Sequence, residues 1–301
     1  MSDDSTPPGG GVRRVTYGTT DGITLVGDAW GDPSHPPVLL LHGGGQTRHA
    51  WGDTAQALAE RGWYVVALDL RGHGESDWAP NGRYAFEDFA SDLGGVVRNL
   101  SRPPAVVGAS LGGMVALLAQ GQAIEPLFSA VVLVDIAPDV EPEGIRRVVG
   151  FMLAHPEGFS SIEEAADAIS GYLPHRDRPE DLGGLERTLR RGDDGRYRWR
   201  WDVRLLTERD DLALVAAGDI DELATQMRNR LTEAARRLEV PTLLVRGALS
   251  DVVSERGTRD FLGLVPHARH VDVPGAGHMV AGDRNDAFTA AVVDFLTEVR
   301  G

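Results

Sequence analysis

Two kinds of hydrophobic pattern alternate along the chain. Val12–Tyr17 and Ile23–Trp30 alternate apolar and polar positions, the period expected of a hairpin at a sheet edge with one face in solvent. Pro37–Leu41, Tyr64–Leu68, Ala105–Val107, Ala130–Val134 and Thr242–Val245 are short continuous apolar runs instead. Such runs mark strands buried on both faces of a parallel sheet. Amphipathic stretches of helical period lie between them, near Ala50–Arg61, Phe86–Leu100 and Leu111–Ala119. Near the end, a helix is expected at Ser254–Leu264, a strand at Arg269–Val273 and a helix at Asp286–Val299. The alternation predicts an α/β protein, a mostly parallel sheet with helices on both faces.

The rhythm stops after Val134. From roughly Pro138 to Leu238 the pattern predicts short helices and no strand: Glu143–Ala154, Ser161–Tyr172, Asp181–Arg191 and Ile220–Arg237. Gly192–Gly195 reads only as a turn. The expected organisation is therefore a core made of residues 12–137 and 239–301, interrupted by a helical insertion at 138–238. Residues 1–11, acidic and then rich in Pro and Gly, are expected to be a mobile tail. They carry neither a basic nor an apolar targeting region, so a cytoplasmic protein is expected.

Composition removes several function classes. The 301 residues carry a formal charge of −15, and every cation other than histidine is Arg. A nucleic-acid binder needs a basic face, and a polybasic membrane anchor needs clustered cations; neither partner is expected. The absence of cysteine excludes disulfides, thiolate metal sites and a cysteine nucleophile.

Four features carry chemistry. Gly108-Ala109-Ser110-Leu111-Gly112 is a G-x-S-x-G motif between a predicted strand and a predicted helix. A tight turn there exposes the serine hydroxyl and requires small neighbours, while the helix aims its N-terminal amides at the reacting centre. His42-Gly43-Gly44-Gly45 follows a buried strand, so Gly44 and Leu111 are the expected amide donors to an oxyanion. His42 reads as a hydrogen-bonder beneath that loop. His278, in Gly275-Ala276-Gly277-His278-Met279, suits a general base. His73, in the segment Asp69–Ser76, reads as part of a turn whose polar side chains tie down backbone. The base needs a carboxylate on its far nitrogen. Asp251, 278 − 251 = 27 residues earlier, is favoured, with Asp135 as the alternative; both end predicted strands. The pair His267 and His270 has no carboxylate at zinc-site spacing.

The order Ser110, Asp251, His278, the His42-Gly43 loop, the Asp69–Ser76 segment and the insertion after the sixth core strand resemble the α/β-hydrolase fold superfamily. The resemblance spans nearly the whole chain after residue 12 and is nearest to its capped esterase, C–C hydrolase and haloperoxidase-like group. It implies an eight-stranded mostly parallel sheet and a cap over the active site. A serine at position 110 departs from the epoxide-hydrolase and dehalogenase pattern, which has aspartate there, and sets those activities aside. The expected activity is hydrolysis of a small carboxylic ester or lactone through an acyl-enzyme, with no metal or organic cofactor. The alternatives are cleavage of carbon–carbon bonds in vinylogous diketones, or a ligand receptor on the same fold. The first alternative needs a cation for a substrate carboxylate, and Arg187, Arg190, Arg191, Arg196, Arg198 and Arg200 are the candidates. Trp51, Met114 and Trp199 are the expected substrate-contacting residues, with Phe151, Met152, Phe159 and Leu173 as further insertion candidates. Tyr197, Trp199 and Trp201 share one face if that stretch is extended.

Overall fold

The computed structural model describes residues 11–174, 178, 181–207, 220–280 and 285–300. All but the last residue of the expected mobile tail lie outside them. In chain order the core elements are β1 (Arg13–Gly18), β2 (Thr24–Trp30), β3 (Pro37–Leu41), α1 (Gly52–Glu60), β4 (Tyr64–Leu68), α2 (Phe86–Val97), β5 (Ala105–Ala109), α3 (Leu111–Gln122) and β6 (Ala130–Val134). The insertion contributes α4 (Pro142–Leu153), α5 (Ile162–Tyr172), β7 (Leu189–Arg191), β8 (Tyr197–Trp199), α6 (Arg204–Thr207) and α7 (Ile220–Ala235). β9 (Thr242–Gly247), α8 (Glu255–Leu264), β10 (Arg269–Val273) and α9 (Asn285–Arg300) complete the core.

Eight strands form one sheet in the order β1-β2-β4-β3-β5-β6-β9-β10. β1 pairs antiparallel with β2, and β2 antiparallel with β4; every other pair is parallel. β1 alternates in burial as its sequence alternates in polarity, whereas β2, paired with both β1 and β4, is mostly buried and does not follow the expected alternation; β3, β4 and β6 are buried along their whole length. Side chains of successive residues then divide between two cores. Leu39, Leu41, Val66 and Val106 meet α2, α3, α7 and α8, whereas Val38, Leu40, Val65 and Val107 meet α1 and α9. The chain leaves β3 toward β4 on one side and returns to β5 on the other. Loops at the carboxyl ends of strands flanking such a reversal open a crevice, the usual ligand site of an open α/β sheet.

The insertion differs from its sequence reading in two ways. It contains an antiparallel hairpin, β7 with β8, turning at Gly192–Gly195. Each strand is three residues long and rich in arginine, too short to show a period. The expected helix Asp181–Arg191 is a 3-10 turn at Gly183–Arg187 followed by β7; the pair Gly183-Gly184 disfavours a longer helix. The last insertion helix, α7, packs on the core. Leu231, Ala234 and Ala235 are buried in the α3 side of the core, and a methyl group on Gly121 of α3 would lie 2.6 Å from Ala234 Cα. Among the described residues, no helix is long and apolar enough to cross a membrane.

Candidate active site

Ser110 sits between β5 and α3 with φ 44° and ψ −110°. Ser110 and Asp135 (φ 48°) are the only non-glycine residues with positive φ among the described residues. Such conformations cost roughly 1–3 kcal/mol each and persist where the surroundings enforce them. The motif's glycines are required by contact. A methyl group on Gly108 would lie 2.6 Å from the Gly112 and Gly113 backbone, and one on Gly112 would lie 2.5 Å from the Leu41 carbonyl oxygen. Gly112 N–H also donates to the His42 carbonyl at 3.2 Å, fastening α3 to the glycine loop. Gly112→Ala is therefore expected to destabilise the fold by about 2–3 kcal/mol, since backbone cannot yield as a side chain can. Thermal unfolding should show a Tm lower by about 3–5 °C; an unchanged Tm would contradict the crowding.

His278 lies on the loop after β10, and its Nδ1 is 2.7 Å from Oδ2 of Asp135, not of Asp251. Asp135 is completely buried and also accepts Gly247 N–H at 3.0 Å and the Ser250 hydroxyl at 2.5 Å. With a carboxylate on Nδ1, that nitrogen is the donor and Nε2 keeps its lone pair. Asp251 is turned outward: its carboxylate holds Arg147 of α4 in two bonds, Nε at 2.8 Å and Nη2 at 3.2 Å. The physical reason is the turn after β9. Ser250 N–H bonds Gly247 O, and the Ser250 hydroxyl accepts from Val252 and Val253 while donating to Asp135. That turn points Ser250 inward and its neighbour out. Ser250, missed at the sequence level, carries no signal beyond its place beside Asp251.

The glycine loop rests on two buried histidines. His42 Nε2 accepts Leu70 N–H at 3.0 Å, so Nδ1 donates to Gly43 O at 2.8 Å. His73 Nε2 accepts Gly45 N–H at 3.2 Å, and its Nδ1 donates to Arg71 O at 3.0 Å. Both rings are neutral: burial pushes the His42 pKa down to about 4, and burial plus the neighbouring His42 ring pushes His73 down to about 3. Arg48 lies beneath, bound to Asp28, Asp69 and Glu75. Asp69 accepts the N–H groups of Arg48 and Glu75 as well. The Asp69–Ser76 segment is thus the tied-down turn its sequence suggests, and it also holds the glycine loop.

Ser110, His278, Gly44 and Leu111 line one cavity of about 620 Å³. A methyl group on Gly44 would lie 4.0 Å from Leu111 Cβ, so the two expected oxyanion donors are neighbours. Core loops and insertion residues both line it, the latter including Phe151, Met152, Leu173 and Trp201. Met114 and Trp199 line it; Trp51 does not. Trp51 ends a 3-10 turn (Arg48–Trp51) that rotates its side chain into the opposite core, 5.9 Å from the Phe288 ring. Phe159 and Tyr197 belong to a small core inside the insertion, where Phe159 meets the Trp199 ring edge-on at 5.2 Å. Of the six candidate cations only Arg187 lines the cavity. Arg190 lies 4.5 Å from the Trp78 ring, Arg191 faces Tyr197, Arg198 binds Asp194, and Arg196 and Arg200 bind backbone carbonyls. His267 bonds Val240 O and His270 bonds Asp272, so that pair does not converge. Among the described residues no cluster of three histidine or acidic side chains could hold a metal ion.

The chain belongs to the alpha/beta hydrolase fold family, whose model matches residues 36–284. It is 32% identical to the esterase Rv0045c of Mycobacterium tuberculosis, over 93% of this chain and 87% of that protein. It is 28% identical to a 2-(acetamidomethylene)succinate hydrolase of Mesorhizobium japonicum, over 87% of this chain and 88% of that one. The crystal structure of an alpha/beta hydrolase from Novosphingobium aromaticivorans superposes with a TM-score of 0.76 at 26% identity, covering 95% of this chain and 98% of that one.

Proposed function

We propose that this chain is a serine hydrolase of carboxylic esters, acting through an acyl-enzyme, with Ser110 as nucleophile, His278 as base and Asp135 as its carboxylate partner. The observation that carries the reading is one constellation: a serine on an enforced turn, sharing a cavity with a histidine whose far nitrogen is held by a buried aspartate. His278 Nε2 takes the Ser110 proton as Oγ attacks the ester carbonyl. The amides of Gly44 and Leu111 stabilise the oxyanion, and His278 returns the proton to the departing alcohol. Water activated by the same nitrogen then releases the acid. A lactone follows the same path. The insertion before α7 acts as the cap, and its aromatic and aliphatic side chains select the substrate. The esterase named among the relatives supports this reading.

The test uses p-nitrophenyl esters from acetate to decanoate, with a fluorophosphonate as covalent probe. Many turnovers per chain are expected, lost in proportion to the fraction labelled, with the adduct on the peptide containing Ser110. Full labelling with turnover intact, or an adduct elsewhere, would remove Ser110 as nucleophile. A single turnover per chain would favour the receptor reading.

A further inference from the structure

Beside the large cavity lies a smaller polar one of about 170 Å³. The two share Thr47, His49 and Arg187, which therefore stand where they meet. The charges around this junction are unequally satisfied. Arg48 is neutralised by Asp28, Asp69 and Glu75, and Glu75 is taken by Arg48 and Arg14. Arg200 bonds the carbonyls of Glu186 and Leu189. Glu186 lines the smaller cavity but not the junction. Arg187 makes no hydrogen bond or ion pair with any described residue. Thr47 is 2% exposed, and its hydroxyl has no partner among the described residues although it stands at the N-cap of the 3-10 turn Arg48–Trp51. Thr47 thus lines both cavities while its hydroxyl stays buried and unbonded by any described residue.

We infer that Thr47, His49 and Arg187 form a subsite for a carboxylate carried by the substrate at a distance from the scissile ester. The inference rests on the esterase reading and names its substrate class: esters with an apolar segment between the reacting carbonyl and a terminal carboxylate. The apolar segment lies against the hydrophobic walls of the large cavity, and the carboxylate reaches the junction. Arg187, unpaired among the described residues, supplies the positive charge that a monoanion requires. The guanidinium fork accommodates both carboxylate oxygens, with the His49 imidazole beside it as a further donor.

The test compares mono-p-nitrophenyl esters of α,ω-diacids, from glutaric to sebacic, with neutral p-nitrophenyl esters of matched length. At the best length, wild type is expected to prefer the acid by about tenfold or more in kcat/KM, the scale of a charge-assisted bond. Arg187→Gln should bring that ratio near one, and Arg190→Gln, which removes a charge outside the cavity, should leave it. Added salt should lower the wild-type ratio. A wild-type ratio at or below one at every length would overturn the subsite, as would equal ratios in the two variants. Calorimetry with monomethyl suberate and Ser110→Ala, with and without Arg187→Gln, separates this claim from catalysis. Arg187-dependent binding upholds the subsite even where no ester is turned over. Ser110-dependent turnover with no such binding removes the subsite and leaves the esterase.

Discussion

Asparagine at position 135 is expected to lower kcat for ester hydrolysis by about three to four orders of magnitude, the scale seen when a triad aspartate is made neutral. Asparagine at position 251 is expected to leave kcat within about threefold of wild type. The difference follows from what each carboxylate touches. Asp135 is fully buried and holds His278 Nδ1 at 2.7 Å, with Gly247 N–H and the Ser250 hydroxyl on the same group. An amide there can donate to Nδ1 and so fix the proton on Nε2, the nitrogen proposed to accept from Ser110. It also offers no negative charge to the imidazolium that forms in the transition state. Among the described residues Asp251 holds only Arg147, and both side chains are more than a third exposed, at 37% and 44%. Exposed pairs of this kind contribute less than about 1 kcal/mol. Steady-state kinetics of both variants, with thermal unfolding to confirm that each is folded, makes the comparison. Collapse of Asp251→Asn beside a near-normal Asp135→Asn would reverse the assignment and restore the sequence-based preference.

That preference shows where reading a sequence stops. The buried strands, the helix after Ser110 and the sheet class are legible because period and apolar runs encode them locally. The elbow is legible because Gly108 and Gly112 face backbone at 2.6 Å and 2.5 Å, and only glycine fits. The acid is not legible in the same way. Asp135 and Asp251 both follow parallel strands at the same sheet edge, and spacing treats them alike. What separates them is the left-handed backbone at Asp135 and the turn that draws Ser250 inward, both set by tertiary contacts. Trp51 fails for a related reason. It lies a few residues beyond the glycine loop, but a single 3-10 turn carries its ring to the other face of the sheet. The hairpin at Leu189–Trp199 has strands of three residues, shorter than any window that could reveal a period. His73 was readable as a turn residue, but its bond to Gly45 N–H spans 28 residues and follows from the fold alone.

The same two histidines give the second large effect. The protein is expected to lose stability steeply as pH falls from about 6.5 toward 4, and the loss should come from His42 and His73. Their folded pKa values, about 4 and about 3, lie below the ordinary value of 6.5. Unfolding therefore takes up protons in this range, and stability rises with pH. The contribution is complete above about pH 6.5 and is lost as pH falls through the depressed values. Each site contributes up to about 1.4 kcal/mol per pH unit, so moving from pH 6.5 to 4.5 removes on the order of 5 kcal/mol. The rings stand 4.9 Å apart, so protonating one opposes protonating the other, and folding resists both together. Protonation also reaches the proposed chemistry. His73 Nε2 accepts Gly45 N–H; a protonated ring can only donate, which breaks that bond next to Gly44. Activity lost at acid pH should then follow the unfolding transition. Denaturant unfolding from pH 7 to 4.5 measures the slope. His73→Asn, whose side-chain oxygen can still accept from Gly45, should flatten it by close to one proton. An equal slope in wild type and His73→Asn would assign the acid sensitivity to the carboxylates instead.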